Sequence, residues 1–277
     1  MTPDEYCQQK AAASGSSFYY SFMFLPPERR RAIVALYAFC REVDDVVDEV
    51  GDPGVARAKL AWWAQEVERV YGGDPQHPVG KALAPVVRTY ALERSRLGEI
   101  LEGMTMDLDY NRYPDFPTLQ LYCHRVAGVV GLLSARIFGH TDARTLDYAR
   151  TLGLAFQLTN IIRDVGEDVR RNRIYLPLDE LQRFGLATDD LISLREDERF
   201  ARLVTFQIER AREHYAQALA LLPAADRKAQ RPGLVMAAIY RALLDEIQAS
   251  DGKVLSQRIA LTPIRKLWIA WRTWLRA

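Results

Sequence analysis

The stretch Tyr37-Ala-Phe-Cys-Arg41-Glu-Val-Asp44-Asp45-Val-Val-Asp48 decides the fold, because a polar and an apolar pattern run through it with one period. Each residue of an α-helix advances by about 100°, so Tyr37, Arg41, Asp44 and Asp48 fall within an arc of about 60°. Beside them runs an apolar stripe of Leu36, Cys40, Val43, Val47 and Val50. A helix that packs this stripe holds its carboxylates at the rim of a core rather than free in water. A second stretch, Gln157-Leu-Thr-Asn160-Ile-Ile-Arg163-Asp164-Val-Gly-Glu-Asp168, repeats the arrangement. There Gln157, Asn160, Asp164 and Asp168 share one face, with Leu154 and Ile161 on its edge. In both stretches an arginine is followed by acids one helical turn apart.

Outward from these two segments the helical period continues, for example through Leu203, Phe206, Ile208, Ala211, Tyr215 and Leu219, while alternating strand patterns are almost absent. Turn chemistry breaks the pattern at Gly51–Gly54, Gly72–Pro78, Tyr113–Pro117, Gly139–Asp142, Arg170–Pro177, Leu222–Asp226 and Ser250–Gly252. The gaps are short and none reads as an interdomain linker. The expected fold is therefore all-α, a multi-helix bundle forming one domain over residues 1–277.

Hydrophobic residues at 49% and charged residues at 26% exclude a disordered, collagenous or polytopic membrane chain. Lys plus Arg number 37 and Asp plus Glu 36, so no bulk field recruits nucleic acid, and an anion must be held by a local cluster. Cys7, Cys40 and Cys123 include no C-x-x-C pair and suit a reducing, cytoplasmic setting. The apolar run Phe18–Leu25 is too short and too polar for a signal peptide, and Val126–Phe138, which carries Arg136, is short for a membrane span.

Acids four residues apart on one helix repel by a few tenths of a kcal/mol each, and more when partly buried, so something positive is expected between the stripes. Carboxylate and amide oxygens suit Mg²⁺, whose shell is completed by water and substrate phosphates. Arg41 and Arg163 add forked donors for phosphate oxygens. One D-D-x-x-D motif alone reads equally as a solvated face laced with salt bridges. Two stripes with apolar edges, and with Gln157 and Asn160 where Leu belongs, favour a site. A di-iron bundle needs Glu-x-x-His, and none of His77, His124, His140 or His214 has Glu three residues before it.

Over nearly its whole length the chain resembles the squalene and phytoene synthase family of head-to-head prenyl transferases. The two acid stretches carry the resemblance, with Ser14-Gly-Ser-Ser17-Phe-Tyr-Tyr and Tyr122-Cys-His-Arg-Val-Ala-Gly-Val-Val-Gly131. Gly103-Met-Thr-Met-Asp107-Leu, Arg173-Ile-Tyr-Leu-Pro177 and the segment Arg258–Trp268 look most like the bacterial presqualene diphosphate synthases of hopanoid pathways. The resemblance implies an isoprenoid synthase fold with a central cavity. It implies Mg²⁺ held by Asp44, Asp48, Asn160, Asp164 and Asp168, with Asp45 in support. It assigns diphosphate binding to Ser14, Gly15, Ser16, Ser17, Tyr37, Arg41, Gln157, Arg163, Tyr240 and Arg258. Catalysis would fall to Tyr37, Arg41, Asp44, Asp48, Asp164 and Asp168. At Gly15, where some relatives carry a hydroxyl, a backbone N–H would replace that contact.

The activity so implied is condensation of two farnesyl diphosphates to presqualene diphosphate, without NADPH. The alternatives are a phytoene synthase acting on geranylgeranyl diphosphate, a full squalene synthase, or a non-catalytic helical binding module. Other enzymes of the hopanoid or squalene pathway are the expected protein partners. The allylic cation requires a dry wall, for which Phe18, Tyr20, Phe22, Tyr37 and Tyr122 are candidates. Ala127, Gly128 and Gly131 leave room for a prenyl chain or for close helix packing. Arg170, Arg171 and Arg173 follow the second stripe and either fold over the phosphates or form a solvated loop. The proton acceptor is a hydroxyl such as Tyr37 or the released diphosphate. At Ile264–Arg276, three Trp residues among basic ones suit either a bilayer surface or a helix docked on the bundle.

Overall fold

Cap residues set where the helices begin and end. In the computed structural model, which describes residues 1–13 and 17–276, they run α1 Pro3–Ala13, α2 Ser17–Phe22, α3 Pro27–Glu49, α4 Pro53–Gly72, α5 Pro78–Thr89, α6 Arg94–Asp109 and α7 Phe116–Cys123. They continue as α8 Val129–Phe138, α9 Arg144–Arg170, α10 Leu178–Arg183, α11 Thr188–Ile192, α12 Glu198–Leu221, α13 Arg231–Ala249 and α14 Pro263–Arg276. Pro27 and Pro53 occupy first-turn positions, where a missing N–H costs nothing. The Asp52 carboxylate accepts from the amides of Gly54 and Val55 at 2.7 and 3.0 Å, and Asp115 and Asp197 cap α7 and α12 in the same way. Each cap is worth about 1 kcal/mol. Among the described residues there is no strand, and the one isolated bridge joins Arg112 to Ile174.

Two apolar clusters result. One gathers around α3, with Phe39, Trp63, Leu83 and Leu97 buried, and the other around α9, with Tyr148, Phe156, Phe200, Tyr215 and Tyr240. The helix formed by α7, a π-turn at His124–Gly128 and α8 belongs to both, giving Leu133 and Ile137 to the first and Tyr122 and Cys123 to the second. This corrects the expectation of a short apolar segment. Phe116–Phe138 is continuous and, by length and composition, apolar enough to cross a membrane, yet it threads between the clusters and lines their shared cavity.

Small residues let α8 and α9 cross backbone to backbone. A Cβ at Gly131 would stand 2.2 Å from the Ala149 carbonyl oxygen, and one at Gly153 would stand 2.3 Å from that of Ala127. Ala127, Gly131 and Gly153 also line the cavity, so the residues that let the helices close together border its wall. At the far end of α9, Asn172 takes a left-handed conformation (φ 58°) and Arg173 N–H donates to the Asp168 carbonyl, closing the helix. The following loop pairs with residues 111–114 through Ile174 N–H to Asn111 O (3.0 Å) and Leu178 N–H to Tyr113 O (2.9 Å). That pairing aims Arg171 and Arg173 across the mouth at α3.

Candidate active site

α3 and α9 present their polar stripes at the mouth of a cavity of about 1090 Å³, measured with its opening. Tyr37, Arg41 and Asp44 reach its wall from α3, and Gln157 and Asn160 reach it from α9. Deeper in, the lining turns apolar through Phe22, Ile100, Val126, Val130, Phe138 and Met236. Asp48, Arg163, Asp164, Asp168 and Arg258 stand beyond the wall, on the outer rim. Concave sites with an apolar body and a few convergent polar groups are the usual form of small-molecule pockets.

Arginines occupy the rim carboxylates. Arg41 donates to Asp44 at 2.6 Å and pairs closely with Asp45, which also meets Lys10 at 2.7 Å. Arg173 donates to Asp48 at 2.7 Å and to the Val47 carbonyl at 3.0 Å, while Arg171 takes the other Asp48 oxygen at 3.0 Å. Arg163 forks onto Asp164, and Arg258 reaches the same carboxylate at 3.0 Å. Arg170 turns away and donates to the Leu255 carbonyl. Of the three arginines after the second stripe, two therefore cover the mouth. Tyr240 is buried behind Arg163 with its hydroxyl hydrogen-bonded to that guanidinium, so it positions the arginine and does not reach the cavity wall.

Burial and neighbouring carboxylates nonetheless disfavour the charged form of two of these acids. Burial, then Asp48, pushes the Asp44 carboxyl up to about 6 against the opposing pull of Arg41. Asp44 keeps 37% of its side-chain surface accessible, but that surface faces a concave mouth where hydration is poor. Burial, then Asp164, pushes Asp168 up to about 8. The Asn160 amide nitrogen donates to Gln157 at 3.3 Å, while its buried Oδ1 has no partner among the described residues.

An orphaned amide oxygen beside carboxylates whose charged form is disfavoured is the donor set a hard divalent cation takes, so the residues fit Mg²⁺. Among the described residues no three His, Cys, Asp or Glu side chains converge closely enough to hold an ion by themselves.

Of the proposed wall aromatics, Phe18, Phe22, Tyr37 and Tyr122 line the cavity. Ser14, Gly15 and Ser16 lie outside the described residues, as do the side chains of Ser17 and Tyr20. One group escapes the motif reading. Asp107 on α6 accepts from the hydroxyls of Tyr122 (2.9 Å) and Tyr175 (2.8 Å), whose rings stack 5.2 Å apart, and burial pushes its carboxyl up to about 7. In the sequence it stands in the Gly103–Leu108 stretch between Glu102 and Asp109, and nothing local separates it from these exposed acids.

The family model described as "Squalene/phytoene synthase" matches residues 11–265. The chain belongs to the squalene/phytoene synthase family, whose members are prenyltransferase-type enzymes. It is 37% identical to a 15-cis-phytoene synthase of Synechocystis sp., across 99% of this chain and 85% of the relative. It is 36% identical to a phytoene synthase of Arthrospira platensis, across 95% and 89%. Among solved structures it superposes on a dehydrosqualene synthase with a TM-score of 0.87 at 28% identity, covering 98% of this chain and 95% of that one. It also superposes on a squalene synthase from Alicyclobacillus acidocaldarius with a TM-score of 0.79 at 27% identity, covering 90% and 94%.

These relatives correct the expected activity. The reading as a presqualene diphosphate synthase of hopanoid pathways acting on farnesyl diphosphate gives way to the alternative, because the similar curated proteins are phytoene synthases. The physical reason lies in what the motifs report. The acid stripes and the Tyr122–Gly131 segment carry the likeness to the family as a whole, whereas the depth of a cavity is encoded by no short motif.

Proposed function

We propose that the chain is a phytoene synthase, joining two geranylgeranyl diphosphates head to head, with Mg²⁺ held by Asp44, Asp48, Asn160, Asp164 and Asp168. The observation that carries the reaction class is the pair of carboxylate stripes on α3 and α9 at the polar mouth of an apolar cavity. The C20 substrate rests on similarity to phytoene synthases over nearly the full chain.

Mg²⁺ held there would supply the positive charge that the carboxylates and the departing diphosphate need. Arg41, Arg163, Arg171, Arg173 and Arg258 then turn from the carboxylates to phosphate oxygens, for which their forks have the matching geometry. Burial and Tyr240 hold Arg163 in place for this exchange. Ionisation of an allylic diphosphate asks for no protein nucleophile, only charge stabilisation at the leaving group. Phe18, Phe22, Tyr37 and Tyr122 keep water from the cation, and their faces contribute about 0.5–2 kcal/mol each. Asp107 holds Tyr122 in a fixed rotamer by accepting its hydroxyl proton in a hydrogen bond.

With geranylgeranyl diphosphate and Mg²⁺, the purified chain should yield a C40 hydrocarbon. Asp44→Asn combined with Asp164→Asn should abolish this while leaving helical content and melting temperature close to the parent's. Undiminished turnover in the double variant would refute the metal assignment.

A further inference from the structure

α14 carries three different faces. Ala270 is fully buried and Trp274 packs on the bundle, against Phe24 and beneath the guanidinium of Arg231. At about 100° per residue, Ile264, Leu267, Trp268, Trp271 and Leu275 fall together in a second arc about 100° wide. All five are exposed, from 40% at Leu267 to 80% at Ile264, and the two indoles lie 5.2 Å apart with their planes tilted by 31°. Arg265, Arg272 and Arg276 form the third face, a basic flank, and the helix carries no acid. One Trp of this segment therefore docks on the bundle, and two face outward.

The basic flank continues into a groove between α12, α13 and α14. Its floor is apolar, with Leu219, Leu234 and Ile269, and its walls are Arg227, Arg241, Arg272 and Arg276. Among the described residues no carboxylate lines it, and none of these four guanidinium groups makes a hydrogen bond or ion pair. Many arginines elsewhere are paired, as at Arg57, Arg94, Arg136 and Arg212, but here four unpaired guanidinium groups border one groove.

We propose that the outer face of α14 and this arginine groove form a docking surface for an anionic lipid bilayer. Exposed Trp with flanking Arg and no acid is the pattern of a helix lying in a membrane interface. The apolar arc runs from Ile264 to Leu275, about 16 Å at 1.5 Å per residue, and lies parallel to a surface. Charge selects the lipid: unpaired guanidinium groups over an apolar floor fit a phosphate head group with its acyl chain. The placement also serves the cavity, whose apolar depth is lined by Phe22 of α2 and by Pro232, Gly233 and Met236 of α13, the two helices that α14 covers. A water-insoluble hydrocarbon would leave close to the bilayer.

The test is co-sedimentation of the full chain with vesicles of phosphatidylcholine alone and of phosphatidylcholine with phosphatidylglycerol, at about 0.1 M salt, where surface charges still act over about 10 Å. Binding should require phosphatidylglycerol and weaken at high salt. Trp268→Ser with Trp271→Ser, and separately Arg241→Gln with Arg272→Gln, should each weaken it at least tenfold, with turnover in detergent unchanged. Failure to sediment with anionic vesicles, or equal sedimentation of parent and both variants, would overturn the proposal. So would a dimer in vesicle-free solution that Trp268→Ser with Trp271→Ser abolishes, because the occupant would then be a second copy. Inorganic diphosphate at millimolar concentration should leave vesicle binding intact; full displacement by it would assign the groove to a soluble diphosphate instead.

Discussion

Asp226 and Asp168 are two buried acids with opposite linkage to pH. The Asp226 carboxylate is 2% exposed and accepts from Thr141 and Thr145 hydroxyls and from the amides of Thr141 and Asp142 at 2.6–3.0 Å. Burial alone would raise its pKa, but these bonds outweigh burial and hold it well below the usual carboxylate range. A depressed folded pKa gives stability that is present above the unfolded value near 3.9 and is lost as pH falls below it. Asp226→Asn should therefore cost about 2 kcal/mol at pH 7, measured by urea unfolding, with the gap to the parent narrowing below about pH 4.

Asp168 has the opposite sign. Its folded pKa is raised to about 8, so the folded chain binds the proton that the unfolded chain has lost, and stability falls as pH rises from about 4 through 8. Asp168→Asn should melt no lower than the parent at pH 8.5 without metal, while its turnover drops at least a hundredfold. A variant that melts clearly lower would mean that Asp168 supports the fold rather than straining it. Of these two roles only that of Asp168 is legible in the sequence. Its stripe repeats that of α3, whereas Asp226 finds its donors more than eighty residues away.

At the scale of elements, α9 is the ruler of the molecule. It positions Gln157, Asn160, Asp164 and Asp168 on one side and leaves Gly153 flush against α8 on another. Gly153→Val would drive its side chain into the Ala127 carbonyl, where backbone must move. We expect a loss of about 3 kcal/mol, or a melting point lower by roughly 10 °C in a chain of this size, read by calorimetry. An unchanged melting point would show that the crossing is loose.

Helix starts and stops are readable because caps and breakers such as Asp52, Pro53, Gly73 and Pro117 act locally. The π-turn at His124–Gly128 and the short α10 and α11 are not, because a few residues carry no period. Nor is the pairing of Asn111 and Tyr113 with Ile174 and Leu178, a long-range contact that nonetheless decides where Arg171 and Arg173 point.

For the whole molecule, reaction class and substrate separate. The polar mouth is written in two stretches of sequence, and these suffice to read the family and its fold. The depth of the cavity is a property of α2, α3, α6, α8, α9 and α13 packed together, summed over residues such as Phe22, Ile100, Phe138 and Met236 that look like ordinary core. That is why the substrate expectation fails where the fold expectation holds. The most direct test is a competition assay in which the purified chain, Mg²⁺ and membrane-mimetic detergent receive equal concentrations of farnesyl and geranylgeranyl diphosphate, with products identified by mass. C40 phytoene should be the main product, with kcat/KM for the C20 substrate at least tenfold above that for the C15 one. Presqualene diphosphate or C30 hydrocarbon in excess would contradict it.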